Sequence, residues 1–283
     1  MILEEVKRKL STIAKPMLLE KTNECFISQL ENYGYLASRK FDGVRVLAIK
    51  ENDKIILKGR SGYTYEEKFK EIVEALSFLP NGTILDGEMC CDTFQHAQAR
   101  TLTKDKLKSS ELQKLYPATY HIFDILGCDY EDLCNFPLNY RLEKLRGVFV
   151  SRGKLGDCGG VYPLNLVENS HDIQELWEKA QKEKWEGVVL KNPNSHYEFK
   201  RSKSWLKLKC LSQRVLEFDV YTTNNAGVRA VSREGICVQI GGKENSSKFI
   251  QQFEKNGVVK VNVEFLEEME SGMLRMAVCK EVL

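Results

Sequence analysis

The chain has 283 residues and a net charge of +2, with 42% hydrophobic and 29% charged residues, enough for one substantial core and a second, smaller one. No apolar run approaches the roughly 20 residues that would cross a bilayer, and nine cysteines, of which only Cys90 and Cys91 are adjacent, form neither a C-x-x-C metal pattern nor a disulfide framework. The composition argues against a membrane-spanning chain and a disulfide scaffold and predicts a cytoplasmic protein, and with so weak a global field any grip on a polyanion must come from local clusters of lysine and arginine.

Met1 to Leu10 interleaves Glu4, Glu5, Lys7, Arg8 and Lys9 with apolar residues, a pattern expected of an amphipathic helix rather than a secretory leader. From Tyr35 to Arg60 the alternation is that of paired strands, with Val44, Val46 and Ala48 facing one way and Glu51-Asn52-Asp53 turning the chain before Ile55-Ile56-Leu57. Phe69, Ile72, Val73 and Leu76 follow at i, i+3, i+4, i+7 spacing, and Pro80-Asn81-Gly82 ends that helix before a strand over residues 83–88. Further strands are expected over residues 119–123, 187–191 and 205–209, and helices over 138–148 and 173–180. Helices and strands are mixed without a regular βαβ repeat, which makes the class α+β. Beyond Cys210, Val259, Val261, Val263 and Phe265 alternate with Lys260, Asn262 and Glu264, with a helical piece near residues 249–253. Residues 1–210 are therefore expected to form one domain and residues 211–283 a small β-barrel.

Five short segments stand in one order: Lys40-Phe41-Asp42-Gly43-Val44-Arg45, Leu85-Asp86-Gly87-Glu88, Tyr120-His121-Ile122-Phe123-Asp124, Glu186-Gly187-Val188-Val189-Leu190-Lys191 and Ser204-Trp205-Leu206-Lys207-Leu208-Lys209. Each pattern alone is common, and Lys40 by itself would be a solvated surface lysine; the order and the intervals make the set specific. A lysine amine attacks phosphorus only when neutral, and from an ordinary pKa of about 10.4 its deprotonation at pH 7 costs about 4.6 kcal/mol. Arg39, Arg45, a bound divalent metal and partial burial beside Phe41 are expected to lower that cost. Asp86 and Glu88, two apart on a strand, share a face, and paired carboxylates suit a ribose hydroxyl or a hydrated Mg²⁺. Lys207 and Lys209 share a face with Trp205, opposite Leu206 and Leu208, which are expected to face the core. Two ammonium groups on a rigid strand suit an α-phosphate and a departing pyrophosphate. His96, His121, His171 and His196 form no ligand-spaced set.

From about Lys15 to Lys209 these segments resemble the covalent nucleotidyltransferase superfamily of ATP-dependent ligases and mRNA capping enzymes, and in particular ATP-dependent DNA ligases of the kind found as modules of prokaryotic end-joining enzymes. The resemblance implies a nucleotidyltransferase domain of ATP-grasp-like antiparallel sheets with helices, followed by an OB-fold, which Val259 to Glu267 and Ser271-Gly272-Met273-Leu274-Arg275 resemble. It implies that Lys40 takes AMP from ATP, that Ser38, Arg39, Arg45 and Arg201 lie at the nucleotide, and that Phe123 stacks on adenine with Val189 closing the other side. Lys207 and Lys209 are implied on the phosphates, and Glu88 and Glu186 on Mg²⁺ or Mn²⁺, Glu88 also matching a ribose contact. Arg60, in Gly59-Arg60-Ser61-Gly62, matches an arginine that binds the terminal phosphate of the substrate strand, and Phe94-Gln95 with Gln98-Ala99-Arg100 looks like a ligase helix. Two positions depart from the pattern. Many ligases carry a glutamate where this chain has Ser38, so adenine discrimination is expected to rest partly on main-chain groups, and the last basic motif is reduced to Arg275 and Lys280. The implied partner is nicked duplex DNA, together with a polymerase or an end-binding factor of end joining, and the chain is expected to act as a monomer. The alternatives are an RNA ligase, a GTP-using mRNA capping guanylyltransferase and a non-catalytic OB-fold nucleic-acid binder. The 186–191 segment, the OB-like tail and the complete motif set weigh against them.

Overall fold

The structure is a computed structural model that describes residues 16–151, 163–225, 227–269 and 271–283; the helix expected over residues 1–10 lies outside them. The chain divides after Leu208 into two compact units. In the first, the elements run β1 (Leu18–Lys21), α1 (Ile27–Asn32), β2 (Leu36–Lys40), β3 (Val44–Glu51), β4 (Lys54–Gly59), α2 (Lys70–Ala75), β5 (Thr83–Cys90), α3 (Phe94–Leu102), α4 (Lys106–Leu115), β6 (Thr119–Cys128), β7 (Glu131–Asp132), α5 (Leu138–Val150), β8 (Leu164–Leu166), α6 (Ile173–Lys182), β9 (Gly187–Lys191) and β10 (Arg201–Lys209).

These strands build two sheets, one in the order β1-β10-β9-β2 and one in the order β4-β3-β5-β6-β7, with β8 beside β6. The turn between β3 and β4 places Asn52 and Asp53 at φ of 49° and 60°, the left-handed region that short polar side chains tolerate in hairpins. Side chains of Thr93, Asp105 and Asp172 accept from backbone N–H groups at the starts of α3, α4 and α6, satisfying donors that a helix leaves unpaired. Alternate residues of β3 serve different cores. Val46 and Ala48 pack with Phe69, just before α2, and with Ile72, Leu145 and Phe149 of the helices, while Leu47 joins Met17, Ile84, Leu126 and Trp205 between the two sheets. Period-2 alternation thus places apolar side chains on both faces.

The last strand begins at Arg201 rather than Trp205, and the core is not confined to the Leu206 and Leu208 face: Leu208 is buried as expected, but so is Trp205 on the lysines' side. It is 1% exposed, whereas Leu206 is half-buried. The face of β10 that carries Trp205 is itself covered by the six-stranded sheet, so the largest apolar ring goes there.

The second unit contains β11 (Ser212–Asn224), β12 (Gly227–Ser232), β13 (Cys237–Ile240), α7 (Lys243–Asn256), β14 (Val259–Phe265), β15 (Glu267–Glu268), β16 (Leu274–Arg275) and β17 (Val278–Val282). Five of the strands close a barrel in the order β11-β12-β13-β17-β14, the strand number of an OB-fold. Phe218, Ala230, Val238, Ile240, Val261 and Val263 fill it, and Phe249 of α7 joins them. Gly257 ends α7 at φ 70°, the left-handed conformation in which glycine costs least. Among the described residues, no helix is long and apolar enough to cross a membrane.

Candidate active site

Lys40 is the last residue of β2 in the four-stranded sheet, and only Phe41, Asp42 and Gly43 separate it from β3 in the other sheet. The K-x-D-G pattern is therefore the crossing between sheets. Its glycine is required by close approach: a Cβ on Gly43 would lie 2.3 Å from the Met89 carbonyl oxygen. Strand register sets the rest. Ser38 pairs with Val189 and Lys40 with Gly187, while on the facing sheet Arg45 pairs with Glu88 and Glu88 with His121.

Between the sheets lies an open cleft lined by Ser38, Arg39, Lys40, Phe41, Arg45, Glu88, Phe123 and Val189 together with Leu19, Val167, Lys191 and Trp205. Eight residues from four separate sequence segments thus converge on one opening.

The charge pattern differs from the expected one. Lys40 Nζ donates to Glu186 Oε2, an ion pair in which the lysine side chain is 18% and the glutamate 6% exposed. Arg45 donates from Nε and Nη2 to the two carboxylate oxygens of Asp86, at 2.9 and 2.6 Å, and from Nη1 to the Met17 carbonyl at 2.8 Å. The Tyr197 hydroxyl donates to the same carboxylate at 2.6 Å. Arg45 is therefore neutralised by Asp86 instead of acting on Lys40, and the group that answers Lys40 is a carboxylate. Asp86 is likewise committed, so the expected carboxylate pair leaves Glu88 alone to face the cleft. Burial pushes the Glu88 carboxyl up to about 7, against the opposing pull of Lys40 and Arg45.

Phe123 rests on a rigid support. Asp124 next to it receives a bidentate pair from Arg141 at 2.9 and 2.8 Å, with both side chains fully buried. Lys191, 2% exposed, donates to the Phe123 carbonyl at 3.2 Å and lies 4.6 Å from the Phe123 ring and 4.4 Å from the Trp205 ring. Burial lowers its amine to about 8. Sequence reasoning passed over Lys191, although it closes the 186–191 segment. It also missed Leu19 and Val167, which carry no sequence signal because they lie outside the motifs. The Trp205 Nε1 donor is buried without a hydrogen-bond partner.

Several expected residues lie outside the lining. Arg60 is exposed just past β4, and Arg201 is exposed and donates to the Leu19 carbonyl at 2.6 Å. Lys207 and Lys209 are half-buried on β10. In the barrel unit, Arg275 pairs with Glu267 at 2.9 Å and Lys280 with Glu264 at 3.1 Å. Among the described residues no cluster of three or more acidic, histidine or cysteine side chains suits a metal. Glu88 and Glu186, the carboxylates facing the cleft and Lys40, nevertheless fit Mg²⁺, which takes one or two carboxylates and completes its shell with water and substrate phosphates. An aromatic ring, an apolar side chain and an unpaired buried N–H beside a cation-rich opening likewise fit a nucleotide.

Comparison with known proteins agrees with this geometry. Residues 16–209 match the model of the ATP dependent DNA ligase domain. The SPbeta prophage-derived DNA ligase-like protein LigB of Bacillus subtilis is 29% identical over 201 residues, covering 68% of this chain and 66% of that protein. The bifunctional non-homologous end joining protein LigD of the same organism is 27% identical over 262 residues, covering 86% of this chain and 42% of that protein. The chain thus spans less than two thirds of either relative's length. A solved Lig E DNA ligase, 15% identical, shares the fold with a TM-score of 0.68 over 95% of this chain and 99% of that one.

Proposed function

The chain belongs to the family of ATP-dependent DNA ligase domains, and from that premise we propose that it seals nicks between a 5′-phosphate and a 3′-hydroxyl in duplex DNA through a lysyl-AMP intermediate. The observation that carries this reading is Lys40 Nζ at the cleft between the sheets, paired to Glu186.

ATP is a substrate in this scheme. With the base between Phe123 and Val189 and the Ser38 hydroxyl at its edge, the α-phosphorus comes before Lys40. The ammonium proton leaves by way of Glu186, already hydrogen-bonded to Nζ, to solvent, so that the carboxylate stays charged. The nitrogen–phosphorus bond forms as the bond from that phosphorus to pyrophosphate breaks, and Lys207, Lys209 and Arg201 offset the charge that develops on the phosphates. Glu88 and Glu186 would hold a divalent ion, Mg²⁺ or Mn²⁺, which supplies further neutralisation of phosphate charge. AMP then passes to the 5′-phosphate of the nick, steered by Arg60, and the 3′-hydroxyl displaces it. All three steps are in-line transfers that depend on positioning more than on acid–base groups. The likeness to an end-joining relative supports repair of DNA breaks as the setting, with a polymerase or end-binding factor as partner and the chain acting as a monomer.

Incubation with α-labelled ATP and Mg²⁺ should leave a covalent label on the denatured protein that survives alkali and is released by acid, as a nitrogen–phosphorus bond is, and Lys40→Ala should carry none. An unlabelled wild type, or a labelled Lys40→Ala, would falsify the reading. Nicks ending in a deoxyribose 3′-hydroxyl should be sealed; sealing only of ribose-ended nicks would identify an RNA ligase instead.

A further inference from the structure

Arg39 is an exposed cation of the cleft to which the three-step scheme gives no task. Ser38 and Lys40 share one face of β2, and by alternation Arg39 takes the other. It still reaches the rim of the cleft, and it is exposed. Its guanidinium carbon lies 5.2 Å from the centre of the Phe41 ring and 4.8 Å from that of Trp185. Lys179 of α6 places its Nζ 5.7 Å from the same Trp185 ring. Separations of this order attract cations to aromatic faces. Both rings are anchored: Phe41 stacks on His121 at 3.7 Å, and Trp185, 9% exposed, donates its indole N–H to Glu183 at 2.9 Å.

These two exposed cations differ from the arginines packed inside the domain. Arg45, Arg100 and Arg141 are paired with Asp86, Glu71 and Asp124, whereas neither Arg39 nor Lys179 has a carboxylate partner among the described residues. A guanidinium drawn to aromatic rings still has N–H groups for hydrogen bonding, and their fork matches phosphate oxygens. Trp185 immediately precedes Glu186, the partner of Lys40. The unanswered positive charge therefore lies beside the nucleophile but outside the base-binding interior.

We propose that Arg39 and Lys179, gathered on the Trp185 ring, bind a backbone phosphate of the nucleic-acid strand whose end Lys40 serves. The proposal rests on the ligase reading above for the identity of the strand. The same phosphate chemistry is offered by the polyphosphate of ATP, but the exposed rim position and the opposite strand face favour a ligand lying across the mouth.

The test uses the full chain with Arg39→Gln and Lys179→Gln, both at exposed positions. Nicked duplex DNA is titrated by fluorescence anisotropy without ATP, from low to high salt. Each variant should bind several-fold more weakly than wild type, with the magnitude of the salt slope reduced by about one, as for one lost phosphate contact. Lys179→Gln should form the AMP label at the same ATP concentration as wild type. Unchanged DNA binding in both variants overturns the proposal, and so does a rise in the ATP concentration that Lys179→Gln needs, which would assign the anion to the nucleotide. A wild type that binds the nick through these residues yet forms no label upholds this site and sinks the ligase assignment. Labelled wild type with normally binding variants does the reverse.

Discussion

Carboxylates decide what Lys40 and Arg45 can do at the cleft. Asp86 takes the fork of Arg45 and the Tyr197 hydroxyl, so Arg45 stiffens the wall instead of presenting a free charge. Glu186 takes Lys40. Glu88 is left with its carboxyl raised to about 7 against an ordinary 4.5. A carboxyl raised on folding binds its proton more tightly in the folded chain, so the stability it contributes is complete below the ordinary value and is lost as pH rises through about 7. Glu88→Gln keeps the neutral form at every pH. Its melting temperature without ligand should therefore gain on wild type as pH goes from 5 to 8, and a difference that stays flat over that interval would refute the assignment. The types of these residues were readable from the motifs, but their pairings were not. Lys191 shows why: a lysine at a strand end looks solvated until tertiary packing places Phe123 and Trp205 against it.

Among the elements, the three-residue crossing from β2 to β3 does most to create the site, because it turns the end of one sheet toward the face of another. Gly43→Ala tests this. The added Cβ meets the Met89 carbonyl at 2.3 Å, and that carbonyl belongs to the β5 ladder paired with Val44, so it cannot retreat freely. Overpacking of this kind costs about 1–3 kcal/mol. The expected result is a lower midpoint in urea unfolding and loss of AMP labelling; unchanged stability would show that the crossing is looser than described. Strand and helix periodicity located β2 to β6, α2, α5, α6 and β9 around this crossing, but not β1, α1, α4, β7 or β8, most of them too short to show a period. It misjudged β10, since alternation identifies two faces without saying that both are covered, and Trp205 lies on the face that the other sheet conceals.

Across the whole molecule, the two units keep separate hydrophobic cores. Phe249, fully buried, packs on Tyr221 and Phe253 at ring separations of 5.7 and 6.1 Å inside the barrel unit. Phe249→Ala should destabilise that unit by about 3–5 kcal/mol. Calorimetry should then show a transition of the barrel shifted down, with that of residues 16–208 left in place; a common shift of both would mean that the units melt as one. The sequence by itself determined the family, through its ordered motifs, and the α+β class with its barrel, because covalent chemistry needs particular residue types and secondary structure follows local periodicity. Only the tertiary structure decided which carboxylate holds Lys40, that Asp86 is spent on Arg45, and that Arg39 and Lys179 meet on one ring. Those are contacts between segments up to 146 residues apart in the chain, and side-chain electrostatics act through distance and burial, which sequence order does not encode.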